Sequence, residues 1–279
     1  MTMAGAIGLV SIFAVDVLNL FYISMLGEQE LTAAVGYAST IMFFTVSISI
    51  GFTIAATAIV SKALGAGNFE NAKTDAGATL IYIVAINTLT ALILYPLIGP
   101  VLDLLGASGR THAVALDFLQ IVTFAIPLMG FGMCCSGLLR AKGDARRAMY
   151  VTLSAGIAAA IFDPILIIYM ELGVRGAAIA TTFTRVVLVF AGLYGVWAIH
   201  KMIAMPNRQQ LIRLLRPYLM IAIPAMLTQV ATPFSNGYMT AVMSDFGDGA
   251  VAGWTIIGRL VPLAFVAIFT LSAAVGPIW

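Results

Sequence analysis

Charge is scarce in this chain: 9% of its 279 residues are Asp, Glu, Lys or Arg, against 61% hydrophobic, with a mean hydropathy of +1.04. A water-soluble globule of this length needs more polar surface than that, so lipid must solvate much of the protein. Cysteine is nearly absent. The two present, Cys134 and Cys135, are adjacent in an apolar run, where a bridge would be strained and no zinc or redox spacing exists. Both read as small packing residues. The two histidines, His112 and His200, sit at the ends of apolar runs and read as interfacial. No metal-ligand set or nucleophile–base pair follows from them, so an intramembrane enzyme lacks its parts. No GxxxxGK[ST] loop occurs, which leaves ATP drive unsupported. No cofactor and no nucleic-acid partner are expected.

What the chain has instead is a succession of apolar stretches, each near or above the roughly 20 residues that cross a bilayer as a helix. Eight are marked, at about 3–26, 32–62, 74–102, 112–139, 146–170, 174–199, 210–244 and 250–279. The breaks between them alternate in charge. The second, fourth and sixth carry most of the basic residues: Lys62, Lys73, Arg140, Lys142, Arg146, Arg147, Lys201, Arg208, Arg213 and Arg216. The others hold Glu28, Glu30, Asp103, Glu171, Asp245 and Asp248 against Arg110 and Arg175. The positive-inside rule puts the basic breaks and the N-terminus in the cytoplasm. An all-α polytopic membrane protein follows, with a bacterial inner membrane as the expected location.

The longest break, 201–216, reads as an interfacial linker between lobes spanning 1–200 and 217–279. Gly27, Leu31 and Ala33 match Gly247, Val251 and Gly253 at a constant offset, which also pairs Asp16 with Asn236. A parallel repeat is the expectation. The chain stops at Gly276-Pro277-Ile278-Trp279 inside an apolar run, so the second lobe reads as cut short.

A charged side chain at the bilayer centre costs at least about 2.5 kcal/mol and needs a partner, a watery cavity or a role. Counting down from the helix ends places Asp16, Asp163, Thr181 and Arg185 in one layer of the outer half of the membrane. Asn19 shares a helix face with Asp16. Pro164 removes an N–H beside Asp163, freeing the Ala160 carbonyl and predicting a bend. Carboxylate, hydroxyl and freed carbonyl suit a small cation, and a desolvated carboxylate holds a proton equally well. The alternative is that Asp163 simply pairs with Arg185. Gln120, Asn236 and Arg259 fall at similar depth as candidate cavity-lining residues, Arg259 also as a counter-charge. Fourteen Met and sixteen Phe would line an adaptable cavity or face lipid.

Three motifs carry a resemblance. They are Leu26-Gly27 with Leu31-Thr32-Ala33-Ala34, then Leu139-Arg140-Ala141-Lys142-Gly143-Asp144, then Asp163-Pro164 with Gly176-Ala177-Ala178-Ile179-Ala180-Thr181. In their order and spacing the chain resembles the multidrug and toxic compound extrusion family of transporters. The resemblance implies two pseudo-symmetric six-helix lobes, the first whole here and about two helices of the second present. It also implies export of organic cations in exchange for sodium ions or protons. Asp163 and Thr181 would be side-chain ligands of the cation and Ala177 would contribute its carbonyl.

Two departures stand out. The carboxylate of the first helix in many members falls at Asn19, with the acid one turn earlier at Asp16. An asparagine four residues before Asp163 is Ala159. Both favour protons over sodium. The function expected is a monomeric, cation-coupled antiporter for amphipathic, cationic organic compounds. A flippase for lipid-linked sugars in the same fold group is the alternative, with a receptor further behind.

Overall fold

The computed structural model describes Tyr22 and residues 29–264, with the side chains of Gln29 and Arg259 and those from 262 onward left out. Asp16 and Asn19 therefore lie outside the described residues. Among the described residues every regular element is helical: α1 Gln29–Gly65, α2 Phe69–Leu104, α3 Gly109–Thr123, α4 Ile126–Ala141, α5 Ala145–Pro164, α6 Gly173–Leu193, α7 Arg208–Ser244 and α8 Asp248–Ala264. Five helical segments are long and apolar enough to cross a membrane, six when the bent pair α3–α4 is taken as one span. These fall on the apolar stretches expected from the sequence. Large apolar side chains such as Leu92, Phe190, Trp197 and Phe234 are exposed, as lipid-facing residues are.

Helix ends follow local chemistry. Gly143 ends the α4 turn at φ 87°, and its N–H and that of Asp144 close back onto the carbonyls of Arg140 and Leu139, both at 2.9 Å. Asp144 then caps α5 by accepting from the Arg147 N–H at 3.0 Å. Asn207 and Gln210 form a reciprocal capping box, both bonds 2.8 Å, that starts α7 at Arg208. The linker expected over 201–216 is thus non-helical only as far as Asn207; the rest is helix.

Three breaks interrupt the helices. The fourth apolar stretch bends by 54° between α3 and α4, just before Pro127. After Pro164 the chain shifts to a wider π turn over Ile165–Tyr169, where the Met170 N–H reaches the Ile165 carbonyl at 2.8 Å. A second π segment, Tyr194–Ile199, follows α6. The start of α6 leans on the first of these: a Cβ at Gly176 would lie 2.7 Å from the carbonyl carbon of Leu166. The small residues Gly176, Ala177 and Ala178 allow that approach.

The charge segregation read in the sequence appears as two ends of the bundle. At the basic end the His200 ring lies 2.8 Å from Asp144, which also pairs with Arg147, and the Ala204 N–H donates to the Lys73 carbonyl at 3.1 Å. At the acidic end Arg110 meets Glu30 at 3.5 Å, His112 meets Asp103 at 3.3 Å, and Thr111 donates to Asp248 at 2.7 Å. Each end has its own apolar core, one around Phe52, Leu138, Leu139 and Tyr218, the other around Tyr37, Leu102, Leu119 and Val251. Cys134 and Cys135 are free thiols packed wholly inside the first.

Helix α1 is the spine. It packs along α7, with Gly51 against the Met226 backbone, the Thr40 and Thr240 hydroxyls 3.2 Å apart, and the Tyr218 hydroxyl donating to the Phe52 carbonyl at 3.1 Å. The far side of α1 faces a cavity.

Candidate functional site

A cavity of about 540 Å³ runs between α1, α3, α4, α5 and α6. Its wall on α5 extends from Thr152 to Asp163, about 16 Å along the helix. Apolar residues make up much of the lining, among them Val35, Met42, Phe118 and Leu188. The titratable residues among the described lining are Arg140 near the basic end, and Asp163 and Arg185 further in. Asp163 and Arg185 are buried, 3% and 8% exposed, and both line this space.

The sequence therefore brought three of its candidates together: Asp163, Thr181 and Arg185 line one cavity. Ala177 is fully buried beside it. Its carbonyl accepts the Thr181 hydroxyl at 2.8 Å, so the two expected ligand groups hold each other. The Thr184 hydroxyl likewise donates to the Ala180 carbonyl at 2.9 Å. With their protons used inside α6, both threonines turn only oxygen lone pairs outward, which are groups for a cation. Ala159 is also in the wall, one turn from Asp163. Gln120 and Asn236 are half-buried and do not line this cavity. Asn236 instead offers its carbonyl to Thr240 at 2.9 Å. Arg259 lies on α8 with its side chain outside the described residues.

Arg185 differs from the expectation of an ion pair. No salt bridge within 4.0 Å joins it to Asp163; its Nη1 donates to the Val122 carbonyl at 3.0 Å. The reason lies in the bend between α3 and α4. There the chain leaves the helical ladder, and the Val122 carbonyl takes the Ala125 N–H at 3.0 Å and the guanidinium together. Sequence reasoning missed this contact and the break behind it. Pro127 was the available signal. Ser136 and Thr152 were missed as well; they carry the polar lining toward the basic end.

At that end, outside the membrane-spanning segments, Asp144 is the one strongly shifted acid among the described residues. Burial raises its pKa, but hydrogen bonds from the Arg147 side chain and backbone and from His200 outweigh that and hold it at about 2.

The comparisons fit this geometry. The Staphylococcus aureus multidrug export protein MepA is 25% identical over 270 residues, covering 94% of this chain and 58% of its own. A Shewanella oneidensis FAD transporter is 28% identical over 284 residues, covering 99% and 62%. Among solved structures, a mutant of the Vibrio cholerae MATE transporter VcmN superposes with a TM-score of 0.86 at 29% identity, over all of this chain and 63% of that one. An outward-facing multidrug resistance MATE family transporter superposes with a TM-score of 0.84 at 24% identity, which bears on the fold alone. The chain thus spans about three-fifths of the length of the relatives it matches. The MatE family profile covers residues 5–165, more than half of the sequence, including α1 to α5 and the wall that carries Asp163, and the chain belongs to the MatE family.

Proposed function

We propose that the protein acts as a cation-coupled antiporter that exports amphipathic, cationic organic compounds in exchange for protons or sodium ions. The observation that carries this reading is the cavity itself. A buried carboxylate, Asp163, shares it with threonine oxygens that have only lone pairs to offer and with an apolar lining suited to an amphipathic body. In the proposed cycle a cation or proton at Asp163 and the exported compound occupy the lobe in alternation. The basic end is cytoplasmic in this reading and the protein works as a monomer in the inner membrane.

Protons suit the site better than sodium. A proton needs only one Asp163 oxygen, whereas a metal cation needs several oxygen ligands at once and must gather them beside the fixed guanidinium of Arg185. Ala159 also supplies no amide oxygen. Residues Asp16 and Asn19 belong to the proposed coupling set, Arg259 remains a proposed counter-charge, and Gln120 and Asn236 are proposed to face the route between the lobes.

Asp163→Asn is expected to abolish gradient-driven dye efflux in the full-length protein while leaving it folded and in the membrane. Wild-type efflux in that variant would overturn the assignment. Proteoliposomes with an imposed pH gradient and no sodium should show transport; silence there, with activity on a sodium gradient, would reverse the choice of ion.

A further inference from the structure

Arg185 has no part in holding a cation, yet it is built into the cavity wall. One N–H on Nη1 goes to the Val122 carbonyl, and the other four donors of the guanidinium have no partner among the described residues. No carboxylate among those residues comes within 4.0 Å of it. A guanidinium this far from water is costly unless an anion answers its charge.

The neighbouring hydroxyls give that anion nothing. Ser136, Thr152, Thr181 and Thr184 all donate to backbone carbonyls, those of Ala148, Met149, Ala177 and Ala180, at 2.8 to 3.3 Å. Arg185 and Arg140 keep guanidinium N–H groups for the cavity, Arg140 with its Nη1 already on Ser136 at 3.0 Å. A planar, forked donor matches a carboxylate or a phosphate. Next to it, Met42, Phe118 and Leu188 offer an apolar seat that a bare inorganic ion would not use. Acid and base stand on adjacent helices, Asp163 on α5 and Arg185 on α6.

We propose that the cavity receives amphipathic organic compounds carrying an acidic group, with Arg185 binding their carboxylate or phosphate while Asp163 faces their cationic part. This rests on the reading of the cavity as part of the export route and narrows its substrate class from cations to compounds that also bear an acid. Arg185 is a specificity-determining residue in this reading.

The test uses a matched pair of probes, a rhodamine with a free carboxylate and the methyl ester of the same dye, bound to the purified protein and followed by fluorescence polarisation. The wild type should bind the acid about tenfold more tightly than the ester. Arg185→Met should erase that preference by weakening the acid without weakening the ester; Arg185→Lys, which keeps the charge, should retain part of it. Inorganic phosphate at the dye's concentration should not displace the acid. Equal affinities for acid and ester in the wild type would overturn the proposal without any variant having to fold. So would equal weakening of both dyes by Arg185→Met, which would leave Arg185 only its bond to Val122, and so would displacement by phosphate. Because binding is read without an ion gradient, failed efflux with the acid preference intact sinks the coupling reading alone. A lost preference with efflux intact sinks this one.

Discussion

The basic and acidic ends of the bundle are closed by different kinds of contact. At the basic end the joints run through backbone: Ala204 to Lys73, and the Tyr82 hydroxyl to the Leu211 carbonyl, with the residue 204 peptide lying on Gly77. The Asp144 carboxylate, 15% exposed, ties Arg147 and His200 into the same corner. At the acidic end the joints are side-chain pairs, most of them open to solvent. Arg175 and Asp117 are 68% and 42% exposed, Arg110 and Glu30 are 59% and 47% exposed, and the Thr111 hydroxyl donates to Asp248 on α8. Exposed pairs contribute about 0 to 1 kcal/mol and one hydrogen bond about 1 kcal/mol, so each side-chain joint at the acidic end contributes little. Among the described residues the basic end is tied mainly through backbone groups and the acidic end mainly through side chains.

The largest expected effect lies where the basic end depends on a missing side chain. Gly77→Val puts a side chain where the Ala204 carbonyl and Pro206 rest, and the linker must lift from α2. A loss of about 2 to 3 kcal/mol is expected, read as a lowered thermal midpoint of the purified protein. An unchanged midpoint would mean that the linker is not anchored there and would erase the contrast between the ends.

Asp144→Asn comes next, because it keeps the α5 cap and removes only the charge shared with Arg147 and His200. Its carboxylate is held at about 2, below the ordinary value of 3.8. A depressed pKa stabilises the folded state above the unfolded value and stops doing so as pH falls through the folded one. At pH 7 the substitution should therefore cost about 1 to 2 kcal/mol, and the gap to wild type should narrow as pH drops below about 4. Melting curves across that range decide it; a gap independent of pH would assign the effect to packing.

Much of this contrast was legible in the sequence, and the reasons differ by feature. The spans showed because lipid demands long apolar runs, and the two ends showed because charge collects in the breaks between them. Gly143 and Asp144 stop one helix and cap the next, roles that need their own residue types. The layer of Asp163, Thr181 and Arg185 followed from counting residues along helices. The direction of each polar side chain did not. The Thr181 hydroxyl and the Ala177 carbonyl are four residues apart on one helix, the spacing at which they satisfy each other. Arg185 bonds a backbone carbonyl, a group every residue has, exposed by a bend whose only mark was Pro127. Backbone partners leave no signature in side-chain chemistry, which is why Asp163, Thr181 and Arg185 were foreseen together and their hydrogen bonding was not.

At the acidic end the expected effects are smaller and best measured as couplings. A double-mutant cycle with Thr111→Val and Asp248→Ala should return about 1 kcal/mol, since the bond is short, charge-assisted and partly buried. The same cycle on Arg175→Met and Asp117→Ala should return less than about 0.5 kcal/mol. Both Arg175 donors fall on one oxygen, Oδ2 at 2.9 and 2.6 Å, so the pair lacks the two-oxygen fork that makes such contacts strong. What remains is Coulomb attraction between exposed groups, and salt removes it: at 1 M the screening length is about 3 Å, close to the separation of the charges. The Arg175 coupling should therefore vanish in high salt while the Thr111 coupling persists. Persistence of both would show that the exposed pair is held as firmly as the partly buried one, and the contrast between the two kinds of joint would fall.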